Sequence, residues 1–175
     1  VDGFGVTDLS SALKIRSIFA DKRILLATPL DEEGLFAASN NDLDIMVADH
    51  NTVEIILNKK IKLNMWVKVN TGFNRFGFMP NEVDSIVSKL EHLSPSPIIL
   101  MTHFMNQFVV NDSHHQQLKL WENIIKNSPL PYSHANSAMI LNPELNFGEW
   151  IRPGLMLYTP PRMKDLELGL KTVLT

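Results

Sequence analysis

Met65-Trp66-Val67-Lys68-Val69-Asn70-Thr71-Gly72-Phe73-Asn74-Arg75-Phe76-Gly77-Phe78 decides the fold. Met65, Trp66, Val67 and Val69 form a run without polar alternation, the pattern of a strand buried on both faces in a parallel sheet covered by helices. Lys68 breaks the run. Desolvation disfavours a buried ammonium, so a lysine here must find an anion, lose its proton or be chemically converted. Arg75 follows past the Thr71-Gly72 turn and keeps its charge at any ordinary pH. Two bases converging on one pocket need an acid between them. The plainer alternative is a strand-end lysine that snorkels to water beside a surface arginine. What separates the two is whether other strands bring polar groups to the same place.

Outward from this strand, apolar runs alternate with helical patterns. Upstream, Phe4-Gly5-Val6 reads as the tail of a strand, with Thr7 as N-cap of a helix carrying Leu9, Ala12, Leu13 and Ile18. Arg23 to Ala27 is a strand ended by Pro29; a short helix over Asp31 to Asn40 has Leu35 and Phe36 inward. Asp44 to Ala48 is a strand, and Asn51 caps a helix with Val53, Ile56 and Leu57 on one face. Downstream, Pro80 opens a helix with Val83, Ile86, Val87 and Leu90 at helical spacing. Pro97 to Met101 is a strand leading into Thr102-His103-Phe104. Asp112 or Ser113 caps a helix bearing Leu118, Trp121 and Ile125. A brief strand, Tyr132 to Ala135, meets Asn136-Ser137 at the start of a short helix, and Trp150 to Tyr158 and a Pro-bounded tail complete the chain.

Alternating strands and helices mean a parallel sheet with right-handed crossovers. The count is about six strands plus the remnant at Phe4, short of the eight of a closed barrel. An open doubly wound sheet is the alternative. Its phosphate signature is weak: Gly3-Phe4-Gly5 is a lone Gly-x-Gly, and no Walker-type Gly-Lys-Ser/Thr occurs. The expected fold is therefore α/β, an incomplete (β/α)8 TIM barrel.

Composition narrows the function. With 175 residues, 45% hydrophobic and 20% charged, the chain can bury a sizeable core. A net charge of -3 and a pI near 6.1 give no broad field for nucleic acid or an anionic membrane. Cysteine is absent, which excludes disulfides and thiolate metal sites and suits the cytoplasm. No signal peptide or long apolar span occurs, and the chain opens on Val1-Asp2-Gly3 without an initiator Met, the pattern of a fragment. His114-His115, His50 and His92 have no metal-ligand spacing and are expected to be solvated. No Gly-x-Ser-x-Gly elbow is present.

In a barrel the chemistry sits at the C-terminal ends of the strands. Lys68 and Arg75, His103, Asn136-Ser137 and Arg152-Pro153-Gly154 all fall at or just after a strand. Singly, His103 could be a core histidine, Asn136-Ser137 a helix cap and Arg152 half of a surface ion pair. Jointly they share one rim. Ser137 at a helix start and the backbone N–H groups of Gly154 and Leu155 suit a dianionic phosphate, so a phosphorylated ligand is expected.

These residues carry a resemblance. Asp2-Gly3-Phe4-Gly5-Val6, the stretch from Trp66 to Phe78, Met101-Thr102-His103-Phe104, Ala135-Asn136-Ser137-Ala138 and the stretch from Trp150 to Tyr158 closely resemble, in order and spacing, the bacterial alanine racemases. Those are enzymes of pyridoxal 5'-phosphate, of fold type III. The resemblance implies that Lys68 is the family's carboxylated lysine, whose carbamate anion holds Arg75. Arg75 then reaches the cofactor's phenolic oxygen and the substrate carboxylate. Arg152 donates to the pyridine nitrogen and keeps it unprotonated, which favours reprotonation over transamination. His103 lines the ring; Ser137, Gly154 and Leu155 bind phosphate, and Asn136 buttresses the site.

The resemblance further implies interconversion of L- and D-alanine, D-alanine supply for peptidoglycan, a homodimer and a cytoplasmic location. Residues 1–161 are expected to be a partial barrel and 162–175 a link toward a C-terminal β-domain outside the chain. The family's Schiff-base lysine and catalytic tyrosine are expected outside it too, so the chain alone should neither bind the cofactor covalently nor racemise. Two departures stand out. Ser133, with His134 beside it, replaces a frequent histidine and puts a hydrogen bond to Arg152 in doubt; Met105, Asn106 and Gln107 replace small and acidic residues. Other readings are a non-catalytic pyridoxal-phosphate carrier, a racemase or decarboxylase acting on a larger amino acid, and a remnant of a truncated gene.

Overall fold

The computed structural model describes residues 1–105, 112–141 and 147–158. Asn106, Gln107 and the tail from Pro160, with its expected 162–175 link, lie outside the described residues. Strands β1 (Gly3–Val6), β2 (Arg23–Leu26), β3 (Asp44–Val47), β4 (Asn64–Lys68), β5 (Ile99–Met101) and β6 (Tyr132–Ser133) follow one another across a single six-stranded sheet, every pair parallel. Helices α1 (Leu9–Ile18), α2 (Glu32–Asn40), α3 (His50–Lys59), α4 (Val83–Leu90) and α5 (Asp112–Lys126) lie in the crossovers. Beyond His134 the chain resumes as β7 (Ala135–Asn136), which pairs in parallel with β8 (Ile151–Arg152) across α6 (Ser137–Ile140).

The segment 132–136 thus meets β5 on one side and β8 on the other, and the arc of parallel strands runs on to Arg152. A doubly wound sheet reverses its strand order part-way; this one never does. The fold is α/β, an incomplete (β/α)8 TIM barrel. Phe4-Gly5-Val6, read as the tail of a strand, lies in β1, whose Gly3 to Val6 pair residue for residue with Arg23 to Leu26.

Because successive strand side chains alternate between faces, the sheet makes two cores. Ile24, Leu26, Ile45, Val47, Met65, Val67, Val69 and Leu100 pack outward against helix residues such as Ala12, Leu35, Ile56 and Ile86. Leu25, Met46, Ala48, Trp66, Ile99 and Met101 pack inward with Ala27 and Trp150. Every residue of β3 is buried, as expected of a strand covered on both sides.

Several local expectations are corrected. Asp8, not Thr7, caps α1 by accepting from Ser11 N–H at 2.8 Å, and Asp49, not Asn51, caps α3 by accepting from Thr52 N–H at 2.8 Å. In both cases the carboxylate sits three residues before the donor, the reach an N-cap needs. Phe36 is 41% exposed, because the inner stripe of α2 is Gly34, Leu35 and Ala38. His114 is buried rather than solvated: with Gln117 and Trp121 it forms the inner stripe of α5, and its ring lies edge-on to Phe104.

Candidate active site

Two residues past Trp66 on the same face, Lys68 points into the barrel at the C-terminal end of β4. The register runs Lys68 to Met101 to Ser133 across β4, β5 and β6, so one layer of the inner face presents these three side chains together. Lys68 is 5% exposed and enters none of the ion pairs among the described residues. Burial, then the charges of Arg75 and Arg152, push its pKa from 10.5 down to about 8. Lower in the barrel, the buried carboxylate of Asp44 is held by Arg23 Nε at 2.8 Å and Trp66 Nε1 at 2.7 Å. Burial raises its pKa, against the pull of Trp66 and Arg23. That acid is spent at the strand starts and does not answer the cations above.

Arg75 rides on a loop that folds back onto its own strand. Asn70 Oδ1 accepts from Gly72 N–H at 3.0 Å and Asn74 N–H at 3.1 Å, and Asn74 takes the left-handed conformation with φ of 57°. The loop closes where Phe78 N–H donates to Lys68 O at 2.9 Å and Asn70 N–H to Phe78 O at 2.8 Å. Gly77, with φ of 114°, permits that closure: a Cβ there would lie 2.8 Å from Lys68 O and 2.9 Å from Asn70 N. The Arg75 guanidinium is exposed and rests over the Phe73 ring, 4.6 Å from its centroid, while Phe73 meets His103 edge-to-face at 5.5 Å.

His103 follows β5 and is half-buried. Burial first, then Arg152, Lys68 and Arg75, push its pKa from 6.5 down to about 4, so its ring is neutral near pH 7. Arg152 ends β8, where burial pushes its pKa down to about 10. It donates through Nη1 to Ser133 Oγ and through Nη2 to the Thr102 carbonyl at 2.5 Å. The hydrogen bond placed in doubt by the Ser133 replacement is therefore made, by the serine hydroxyl. Thr71 and Thr102, both buried, join their hydroxyls at 2.8 Å; Thr102 Oγ1 donates to Val69 O at 2.9 Å, so Thr71 is the donor of the pair. Lys68, Arg75, His103 and Arg152 are thereby gathered at one mouth, where Lys68 and His103 both feel the charges of Arg75 and Arg152.

Asn136 caps α6, accepting from Ala138 N–H at 3.2 Å. Ser137 Oγ accepts from Met156 N–H at 2.9 Å, tying the start of α6 to the turn after β8. Gly154 and Leu155 begin that turn, and their N–H groups donate to no described residue. A Cβ on Gly154 would meet nothing within 4 Å. Among the described residues the set offers cations without a carboxylate partner, a neutral imidazole, N–H groups that donate to no described residue and open space beside the glycine. Among the described residues no cluster of His, Asp or Glu could hold a metal ion.

Sequence reasoning missed three contributors. Asn70, which shapes the Arg75 loop, was legible as an Asx-type turn residue before Thr-Gly. Phe73 stands two residues before the quoted arginine. Thr102 contributes to Arg152 through its backbone carbonyl, for which no side-chain signal exists.

This is the class of α/β-barrel proteins whose mouth, built from the C-terminal strand ends, gathers cations that enter no ion pair among the described residues. More particularly, the chain belongs to the family described as alanine racemase, N-terminal domain, whose model matches residues 1–160. It is 33% identical to the alanine racemase of Nitrosomonas eutropha over 99% of this chain and 51% of the relative, and 34% identical to that of Alcanivorax borkumensis over 90% and 45%. The solved biosynthetic alanine racemase of Pseudomonas aeruginosa superposes with a TM-score of 0.88 at 30% identity, over 98% of this chain and 50% of that one. The alanine racemase of Bartonella henselae, solved with covalently bound pyridoxal phosphate, shares the fold with a TM-score of 0.82 at 18% identity, over 97% and 52%. The chain spans about half the length of the curated relatives it matches.

Proposed function

We propose that this chain is the barrel part of a pyridoxal-phosphate-dependent alanine racemase. The observation that carries the reading is the cluster of Lys68, Arg75 and Arg152, with no acid partner among the described residues, at the barrel mouth of a member of this family. Bound there, pyridoxal phosphate would supply the electron withdrawal that acidifies the α C–H of an amino acid. The chain's own residues do the rest. Ser137 and the N–H groups of Gly154 and Leu155 hold the phosphate, with Asn136 fixing the start of α6 beneath it. Arg152, which does not readily give up its proton, donates toward the ring nitrogen. His103 offers an uncharged ring edge. Arg75 takes the phenolic oxygen and the substrate carboxylate.

Lys68 supplies the missing acid. An amine with a pKa near 8 is substantially neutral at mildly basic pH, the form that adds carbon dioxide, and the resulting carbamate would change a repelling charge into one that holds Arg75. Carbon-13 bicarbonate should give a carbamate resonance that Lys68→Met abolishes. On this reading the working unit is a cytoplasmic homodimer whose D-alanine feeds peptidoglycan.

The test is L-alanine to D-alanine conversion by the protein carrying the C-terminal half found in the relatives, with Arg75→Leu expected to lose at least roughly tenfold in kcat/KM. Absence of conversion with bound cofactor would favour a non-catalytic carrier. The 175-residue chain by itself, incubated with pyridoxal phosphate and borohydride, is expected to give no stoichiometric adduct on a single lysine; such an adduct would place the covalent attachment within this span.

A further inference from the structure

We propose that Asp44 and Arg23 are positioning residues that act from the floor of the barrel: through a contact between Trp66 and Trp150 they set the span across the mouth between Lys68 and Arg152. Side-chain alternation stacks the two layers. Trp66 stands two residues before Lys68 on β4, and Trp150 two residues before Arg152 on β8, so each tryptophan faces the lumen beneath a cation of the mouth. The two rings meet edge-to-face with centroids 5.6 Å apart, a contact that crosses the lumen between strands that are not neighbours.

A closed ring of contacts fixes both indoles. Asp44 Oδ2 accepts from Trp66 Nε1 at 2.7 Å and from Arg23 Nε at 2.8 Å, with Arg23 Nη2 also 2.8 Å away. The guanidinium so held lies over the Trp150 ring, 5.3 Å from its centroid. Trp66, Asp44, Arg23 and Trp150 thus close on one another, drawn from β4, β3, β2 and the approach to β8. Asp44 and Trp66 are buried, where close packing passes a shift in one member to the next. Lys68 feels the charge of Arg152, so the two cations push apart, and the tryptophan contact beneath them resists that push. A ligand that meets both needs their separation held to about half an ångström.

That the ligand is pyridoxal phosphate rests on the proposed function; the span does not, and the experiment separates the two. The protein carrying the C-terminal half would be crystallised without cofactor as the parent, as Asp44→Leu and as Asp44→Asn, and each titrated with pyridoxal phosphate by absorbance. In the leucine variant Trp66 and Arg23 lose their acceptor, and Arg23 can turn to the solvent it already partly meets. The Cα separation of Lys68 and Arg152 should then change by about 0.5 Å or more. Affinity for pyridoxal phosphate should fall roughly tenfold or more. In a Trp150→Leu background the same substitution should cost no further affinity. Asp44→Asn keeps an oxygen acceptor in place, so it should keep the parental separation and affinity whatever it costs in stability. An unchanged separation in Asp44→Leu, an equal loss with and without Trp150, or an asparagine variant as displaced as the leucine one would overturn the proposal. A separation that changes in a protein whose parent takes up no pyridoxal phosphate supports the positioning and sinks the proposed function. Arg23→Met, which removes the cation over Trp150, is read the same way if the leucine variant does not fold.

Discussion

A lysine 5% exposed, beside two guanidinium groups and with no carboxylate partner among the described residues, carries a free-energy cost that depends on pH. Unfolded, Lys68 titrates near 10.5; folded, near 8. Below about pH 8 it is protonated in both states and the full cost of burying its charge is present, about 3 kcal/mol by the size of the shift. Between the two values the unfolded chain holds more protons, so stability rises with pH, and above 10.5 the cost is gone. In carbon-dioxide-free buffer Lys68→Met should therefore be more stable than the parent at pH 7 by up to about 3 kcal/mol. The gap should close as pH rises through that window, measured by urea unfolding. Added bicarbonate should stabilise the parent alone. A gap that does not narrow would mean the amine is not held as a buried charge. Lys68 was legible because a cation interrupts an apolar run. Ser133 was legible only through the resemblance: a small hydroxyl in a two-residue strand breaks no pattern of its own, and the other acceptor from Arg152 is a backbone carbonyl.

At the scale of elements, the loop from Asn70 to Phe78 shows how a backbone detail sets a charged side chain in place. Gly77→Ala must either abandon φ of 114° or push its methyl against Lys68 O and Asn70 N, both backbone atoms that cannot give cheaply. It should cost about 2 kcal/mol or more in denaturant unfolding. It should also speed amide exchange at Phe78 and Asn70, whose N–H groups close the loop. Gly5→Ala is the control: a Cβ there meets nothing within 4 Å, so it should be neutral or stabilising. Exchange unchanged at Phe78 in the Gly77 variant would show that the loop closes by other means. The strand–helix alternation was readable from apolar periodicity alone. The caps were less so, because at each of α1 and α3 two polar residues compete and only the backbone settles which carboxylate or hydroxyl reaches the N–H three residues on.

On the scale of the molecule, with 132–136 taken as one segment that joins β6 to β7, the parallel arc has two ends with a neighbour on one side only among the described residues: β1, paired with β2, and β8, paired with β7. Ile151 on β8 is 49% exposed, and Leu155 and Leu157 in the turn beyond it are 49% and 63% exposed. Unpaired strand edges flanked by apolar side chains template pairing with another chain. That the parallel arc would leave edges open was legible in the strand count read from the sequence. The isolated 175-residue chain is therefore expected to self-associate, with a weight-average mass that rises with concentration in sedimentation. Ile151→Lys should shift that association to higher concentration by placing charge on the edge while leaving the outer core untouched, because Ile151 is no part of it. A concentration-independent monomer that melts cooperatively would mean the edge is covered by the chain itself, and an Ile151→Lys chain that associates as strongly as the parent would move the contact to β1.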